Sequence, residues 1–381
     1  MKNITFFNDL GKKKFILNSI LNGSKFEKIS IKKIKLDLIK KNFSKAILEF
    51  SNYKKLFSIE VEVENSQFSY DNLALNTKNF SNNFQILQNE YIINKGNYSV
   101  EKPIIIPEGY DLIIEPGVIL LMNKDTFIEV RNGMLKINGK KNLPVVIKPN
   151  EKTQYWKGIY VFNEDKDSIS KIENAEIYNL DYFNNNKIKL TGAINLINSI
   201  YIIDNLFIKN VKAEDAINIV NSNVNLNNIN IINSTSDGID LDFVTGSLKD
   251  IHLKNMGGDG LDTSGSNLKL DKFNADKIGD KAISIGEKST INISNIKISN
   301  SNIGIASKDS SRVYGNNIDI SNSKLFDLAA YVKKNYFDGG LIEIKNLKEN
   351  VFEKILSQKR SVIRVNGSEI PSVKFNIKKI Y

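Results

Sequence analysis

Glu214-Asp-Ala-Ile-Asn-Ile-Val220, Ser236-Asp-Gly-Ile-Asp-Leu-Asp242, Gly258-Asp-Gly-Leu-Asp-Thr-Ser264 and Asp280-Lys-Ala-Ile-Ser-Ile-Gly286 superpose at a spacing of 22 residues. Ile217, Ile239, Leu261, Ile283 and Ile305 recur at that interval, and so do Asn218, Asp240, Asp262, Ser284 and Ala306 one position on. A fixed period in this range marks a repeat architecture, in which each unit buries its apolar face only by stacking on its neighbours.

Each period carries three short strands. Ile239 and Leu241 flank Asp240 in an alternation of two, the signature of a half-buried strand. Further alternations follow, the second at Val224/Leu226, Leu268/Leu270 and Ile291/Ile293, the third at Ile229/Ile231, Ile251/Leu253 and Ile296/Ile298. Polar pairs join the second to the third: Asn227-Asn228, Lys249-Asp250, Asp271-Lys272, Ser294-Asn295, Asn316-Asn317. Asn and Asp tolerate the left-handed backbone that a sharp corner needs. Three strands per turn with apolar columns in register predict an all-β solenoid, a parallel β-helix of about ten turns, each strand about 4.8 Å above its equivalent.

These turns, with the opening Ile105-Ile-Pro-Glu-Gly-Tyr-Asp-Leu-Ile-Ile-Glu-Pro-Gly-Val118 and Trp156-Lys-Gly-Ile-Tyr-Val161, resemble the right-handed parallel β-helix of the pectate-lyase-like superfamily. The resemblance runs over roughly residues 100 to 345. It implies the fold and an association with polysaccharides; the superfamily mixes lyases, hydrolases, epimerases and proteins without a known reaction, most of them exported. Ser236-Asp-Gly-Ile-Asp240 is similar to the start of the polygalacturonase pattern, but its later Asp-Asp, Gly-His-Gly and Arg-Ile-Lys elements are not found in order. The Asp-Pro-His signature of mannuronan epimerases is absent too. Pectate lyases use an arginine base near calcium, whereas Arg131, Arg312, Arg360 and Arg364 all lie outside the acidic repeats.

Around this core the chain divides into three parts. Residues 1–95 read as a lysine-rich mixed α/β cap unit, with a short helix over Phe6–Leu21, strands over Lys28–Ile39 and Phe57–Val63, and Asn42–Phe50 between them. Residues 100–345 are the β-helix, its pattern opening near Ile104. Residues 346–381 form a small C-terminal cap, with a helix over Val351–Gln358 and strands over Ser361–Val365 and Val373–Ile377. Surplus residues at Asn163–Ser168 and Asp181–Leu190 are insertions, where repeat proteins usually build binding surfaces.

The net charge of +10 is concentrated at the ends: residues 1–60 hold 14 Lys and 5 acidic residues. Lysine on an edge strand discourages edge pairing, and no aromatic residues are interleaved as a nucleic-acid stacking platform requires. Nucleic acid is therefore not an expected partner. No apolar run approaches the roughly 18 residues of a membrane span. Lys12-Lys13-Lys14 precedes an apolar run too short for a signal peptide and broken by Asn18, so the compartment is left open, as is the oligomeric state. Cysteine is absent, which rules out disulfides and thiol chemistry. The lone His252 lacks the partners for a catalytic triad or a zinc site.

Chemistry concentrates on the first strand. Its outward column runs Tyr160, Asn195, Asn218, Asp240, Asp262, Ser284, Ala306, Ala329, with Asp215, Asp237, Asp259 and Lys281 beside it. Two carboxylates about 5 Å apart repel by roughly 3 kcal/mol at an effective dielectric of about 20. Calcium relieves that repulsion, with Asp237, Asp240, Asp259 and Asp262 as ligands; so does a shared proton, which suits a carboxyl to acid or base work. The expected site assigns catalysis to Asp240, Asp262 and Lys281, and substrate contacts to Tyr160 and Trp156 as ring platforms with Asn195, Asn218 and Ser284. Its ligand is a polysaccharide or oligosaccharide, uronate-containing or otherwise, and its chemistry, if any, is of lyase or epimerase type. Calcium is the one cofactor this reading allows. The alternative is a non-catalytic scaffold whose acids are solvated and fix the corners through local bonds to the backbone.

Overall fold

The computed structural model describes residues 3–8, 11–16, 45–52, 55–62, 84–164, 167–183, 190–345 and 354–380. It divides into two compact units, Met1–Leu73 and Ala74–Tyr381, so the boundary falls ahead of the expected residue 95.

The described part of the first unit is an antiparallel sheet in the order Gly11–Ile16, Asn3–Asn8, Lys45–Asn52, Lys55–Glu62. The helix expected over Phe6–Leu21 is corrected: Asn3–Asn8 pairs with Gly11–Ile16, Asn8 opposite Gly11. Ile4-Thr5-Phe6-Phe7 is β-branched and aromatic throughout, a composition that favours a strand. Lys45–Asn52, expected as a connection, is likewise a strand. The strand expected over Lys28–Ile39 lies outside the described residues.

The second unit is a parallel β-helix of about 11 turns, each of about 23 residues. Parallel pairing begins at Glu90–Ile93, which pairs with Asp111–Ile114, so the solenoid starts before Ile104. Three sheets run its length, one for each strand of the turn. On the first, Ile217 pairs with Ile239, Ile239 with Leu261, Leu261 with Ile283 and Ile283 with Ile305. These side chains point inward and are wholly buried. With their counterparts on the other two sheets they form one continuous apolar core. Truncating one such Ile to Ala costs about 2–5 kcal/mol.

The corners follow from residue type. Asn228, Asp250, Lys272, Asn295 and Asn317, the second member of each polar pair, all have φ between 50° and 58°. A second left-handed column follows the third strand at Asn210, Asn233, Asn255, Lys277, Asn300 and Asn322. Its side chains hydrogen-bond from turn to turn: Asn233 Nδ2 donates to Asn210 Oδ1 at 3.0 Å, and Asn255 Nδ2 to Asn233 Oδ1 at 2.9 Å. The asparagines thus supply both the backbone conformation and a ladder of bonds along the solenoid axis.

The C-terminal segment departs from expectation. Ile355–Ser357 is a strand on the first sheet, paired with Leu328–Ala330, not part of a helix. Val373 makes only a bridge to Gln358, and Ile377–Lys379 is a 3-10 turn. Phe375, Ile377 and Ile380 pack on a second apolar cluster of Ile303, Ala306, Ala329, Tyr331 and Leu356. The tail therefore covers the outer side of the first sheet where its column turns from polar to Ala306 and Ala329. Among the described residues no helix is long and apolar enough to cross a membrane.

Candidate functional site

The outward column is in register: Tyr160 pairs with Asn195, Asn195 with Asn218, Asn218 with Asp240, Asp240 with Asp262, and Asp262 with Ser284. Register alone does not make all of these residues accessible. At the lower end Tyr160 is buried against Phe127 and Phe183, with centroids 5.8 and 5.9 Å away, and its hydroxyl donates to the Lys157 carbonyl. Trp156 has no exposed surface, and its indole N–H donates to the Tyr178 carbonyl at 2.9 Å. Neither ring has a face to offer a sugar, which corrects both platform assignments: Trp156 belongs to the apolar core, and Phe183 covers Tyr160. Asn195 is buried and exchanges bonds with the Gly192 backbone. At the upper end the C-terminal tail is the roof. Between these covers an acidic mouth remains at Asp237, Asp240, Asp242 and Asp262, all partly exposed.

Two buried lysines serve this column from within. Lys281, 1% exposed, places Nζ 3.4 Å from Asp259 Oδ1 and 2.5 Å from Asp280 Oδ2. Its backbone N–H also donates to Asp259 Oδ1, at 2.8 Å, and Asp259 N–H donates to Asp237 Oδ1 at 2.7 Å. The carboxylates beside the column thus cap the next turn's backbone. Lys308 donates from Nζ to Ser284 Oγ at 2.8 Å and lies 3.4 Å from Asp262 Oδ1. Gly286 makes that reach feasible, since a Cβ there would stand 2.7 Å from Lys308 Cε. Ser284 is wholly buried beneath this contact, which corrects its assignment to substrate.

The remaining acids have no such partner. Asp215 is buried and its Oδ2 accepts no hydrogen bond. Burial, with the charges of Asp237, Glu214 and Asp242, pushes its carboxyl up to about 7. Asp240 accepts from Asn218 Nδ2 at 3.1 Å, yet burial and the charges of Asp242, Asp215, Asp262 and Asp237 push it up to about 9. Asp237 is raised to about 6 by burial and Asp259. Burial also raises Asp242, and it raises Asp262 against the opposing pull of Lys308. The Asp215 and Asp240 carboxyls hold a proton at or near neutral pH. They can donate it to a hydrogen-bond acceptor or surrender it when a cation arrives.

Asp237, Asp259 and Asp262 bring one carboxylate oxygen each within 4.8 Å of one another. The fit to calcium is poor on this geometry. Asp237 Oδ1 and Asp259 Oδ1 already accept backbone N–H groups, and the Lys281 and Lys308 ammoniums stand beside Asp259 and Asp262. The positive charge that a cation would bring to two of the three acids is supplied by the chain.

Three features of the mouth were not singled out from the sequence. Lys308 is one of them, and the sign of its role is Gly286 one turn below. Glu287 accepts from Ser264 Oγ at 2.8 Å and pairs with Lys334 at 2.5 Å. Burial works to raise Glu287, but the Lys334 and Ser264 bonds outweigh it and leave its carboxyl below the usual range. Phe243 follows Asp242 at the corner with φ 57° and is 41% exposed. A bulky side chain at positive φ is an outlier among backbone conformations; the equivalent corners below are Asn198 and Asn221. Its ring lies over Gly265, where a Cβ would come within 2.6 Å of Phe243 Cδ1.

No protein-family model and no curated protein matches the chain. Among solved structures it is similar to tailspike protein 2 of an Escherichia coli O157:H7 bacteriophage, at 11% identity and a TM-score of 0.35, over 72% of this chain and 42% of that one. It is similar to the surface protein and adhesin PfbA of Streptococcus pneumoniae at 12% identity and a TM-score of 0.22, over 64% and 92%. It is also similar to a lacto-N-biosidase of Eubacterium ramulus at 10% identity and a TM-score of 0.18, over 66% and 62%. The chain spans less than half the length of the tailspike. The fold rests on the strand register itself: the chain is a parallel β-helix repeat protein.

Proposed function

We propose that the chain is a polysaccharide-associated β-helix that binds a glycan at the acidic mouth of its first sheet. The observation that carries this reading is the placing of the exposed Phe243 ring directly after Asp242, on the same turn as the proton-holding Asp240. An aromatic face beside converging polar groups suits a sugar, which presents C–H faces and hydroxyls together. The contacts assigned are Phe243 to a ring face, and Asp240, Asp242 and Asp262 to hydroxyls, with Asn218 orienting Asp240. Lyase or epimerase chemistry by Lys281 is not part of this reading, because a base 1% exposed and held by two carboxylates does not meet a substrate. Acid chemistry at the mouth would rest on Asp240.

The test is titration calorimetry of the full chain against neutral, acidic and amino oligosaccharides, repeated with Phe243→Ala. Saturable binding weakened about tenfold by Phe243→Ala, or about 1.4 kcal/mol, supports the reading. If no oligosaccharide binds, the scaffold alternative takes its place.

A further inference from the structure

Resting on that reading, we infer that the glycan is an extended one, which runs from the mouth along the corner of the solenoid with Phe243 against one sugar and Tyr336 against another. Tyr336 is 79% exposed, the most exposed large apolar side chain among the described residues. It sits on an insertion. The strand Phe326–Tyr331 is joined to Leu341–Lys345 by residues 332–340, whereas the same corner one turn below takes only residues 309–311. Surplus residues in a regular repeat are where binding surfaces are built.

The insertion is pinned from both ends. The buried Asp309 accepts the Lys333 and Lys334 backbone N–H groups on one oxygen, at 2.7 and 2.8 Å. The Lys334 ammonium pairs with Glu287 at 2.5 Å. The Phe337 N–H closes a turn on the Lys334 carbonyl at 2.9 Å. Asp338 N–H donates to Ser310 Oγ at 2.9 Å, and Arg360 holds both the Asp338 carboxylate and the Phe337 carbonyl. Within these ties the Tyr336 ring lies 4.8 Å from that of Phe337, over which Lys288 stands. Tyr336 is thus placed without being covered, and a fixed aromatic face loses little further freedom on binding.

This segment and Phe243 share one edge. Backbone bonds climb it corner by corner, from the N–H of Phe243 to Ser264, of Gly265 to Glu287, of Lys288 to Asp309 and of Ser310 to Asp338. The Phe243 ring leans up the edge over Gly265. Glu287 ties Ser264 to Lys334, and the Lys334 charge acts on Asp242 at the mouth. Two turns, about 10 Å, separate the Phe243 corner from that of Glu287 and Lys288, beside which the aromatic pair stands. An occupant that reaches both rings is a chain of sugars lying along the solenoid axis, its hydroxyls over the Glu287–Lys334 pair.

The experiment is calorimetry of the full chain with the disaccharide and the hexasaccharide of the cellulose, chitin and galacturonan series, for the native protein, Tyr336→Ala, Tyr336→Phe and Phe243→Ala. In a series that binds, the hexasaccharide is expected to bind tighter than the disaccharide by about tenfold or more. Tyr336→Ala removes that advantage and leaves the disaccharide unaffected, whereas Tyr336→Phe keeps the ring and the advantage. A side chain so exposed is removed without disturbing the fold. If both lengths bind equally, or the advantage survives in Tyr336→Ala, the inference is overturned, and the glycan reading stands on Phe243→Ala. If no series binds, both fall.

Discussion

Asp259 and Lys281 stand one turn apart, and a single oxygen of Asp259 meets both ends of the lysine: Oδ1 takes the Lys281 backbone N–H at 2.8 Å and stands 3.4 Å from its ammonium. The sequence suggested a lysine facing a substrate. The structure turns it into the chain's own counter-cation, and the site's properties follow from that inversion.

Removing one partner of a buried pair costs more than removing both. Asp259→Ala takes one carboxylate from the buried Lys281 ammonium, and a loss of about 3 kcal/mol is expected. Adding Lys281→Met should recover part of that loss. Chemical denaturation of the two single variants and the double variant measures the coupling, and additive losses would show that the pair is not one unit.

Stability should fall as pH rises from 5 to 9. The carboxyls of Asp237, Asp215 and Asp240 are raised to about 6, 7 and 9 in the folded chain, against about 3.9 in an unfolded one. Between these values the folded state binds more protons than the unfolded state, so each unit of pH lowers the unfolding free energy. Thermal melts are expected to give a higher midpoint at pH 5 than at pH 8. Asp240→Asn should flatten the dependence; an unchanged slope would mean that Asp240 is not the group responsible.

Phe243→Asn is expected to stabilise the chain and weaken glycan binding together. Asn fits φ 57° at about 1 kcal/mol less cost than Phe, and the corners below already use it. Denaturation and calorimetry on the same sample check both signs. Stabilisation without loss of affinity would remove Phe243 from the ligand contacts.

Lys277 interrupts the asparagine column between Asn255 and Asn300 while keeping φ 58°. Lys277→Asn should raise stability by about 0.5–1 kcal/mol. Asn233→Ala, which loses two ladder bonds and the left-handed preference, should lower it by about 1–2 kcal/mol. Denaturation midpoints test both.

Calcium should bind the native chain no tighter than about 100 μM, because Lys281 and Lys308 already serve Asp259 and Asp262. Lys308→Met removes one of these charges and should increase calcium affinity. Calorimetry of the two proteins distinguishes the outcomes, and micromolar binding by the native chain would restore the cation-bridged site.

The 22-residue period, the inward Ile and Leu columns and the polar corner pairs are legible in the sequence. Side-chain periodicity and left-handed preference are local properties, and a solenoid built of neighbouring turns leaves few distant choices to make. The Asn218–Asp240–Asp262–Ser284 column was legible for the same reason. Accessibility was not, because it depends on contacts between distant segments. Tyr160 is hidden by Phe183, and Ala306 and Ala329 by Phe375, Ile377 and Ile380. Lys281 is buried where its ammonium meets both Asp259 and Asp280. Lys308 reaches Asp262 two turns below only because Gly286 has no side chain in the way. The sequence by itself determined a stack of turns with acids on one face. The tertiary structure decided which acids remain open and which charges are already balanced, because burial and pairing depend on every segment that closes over them.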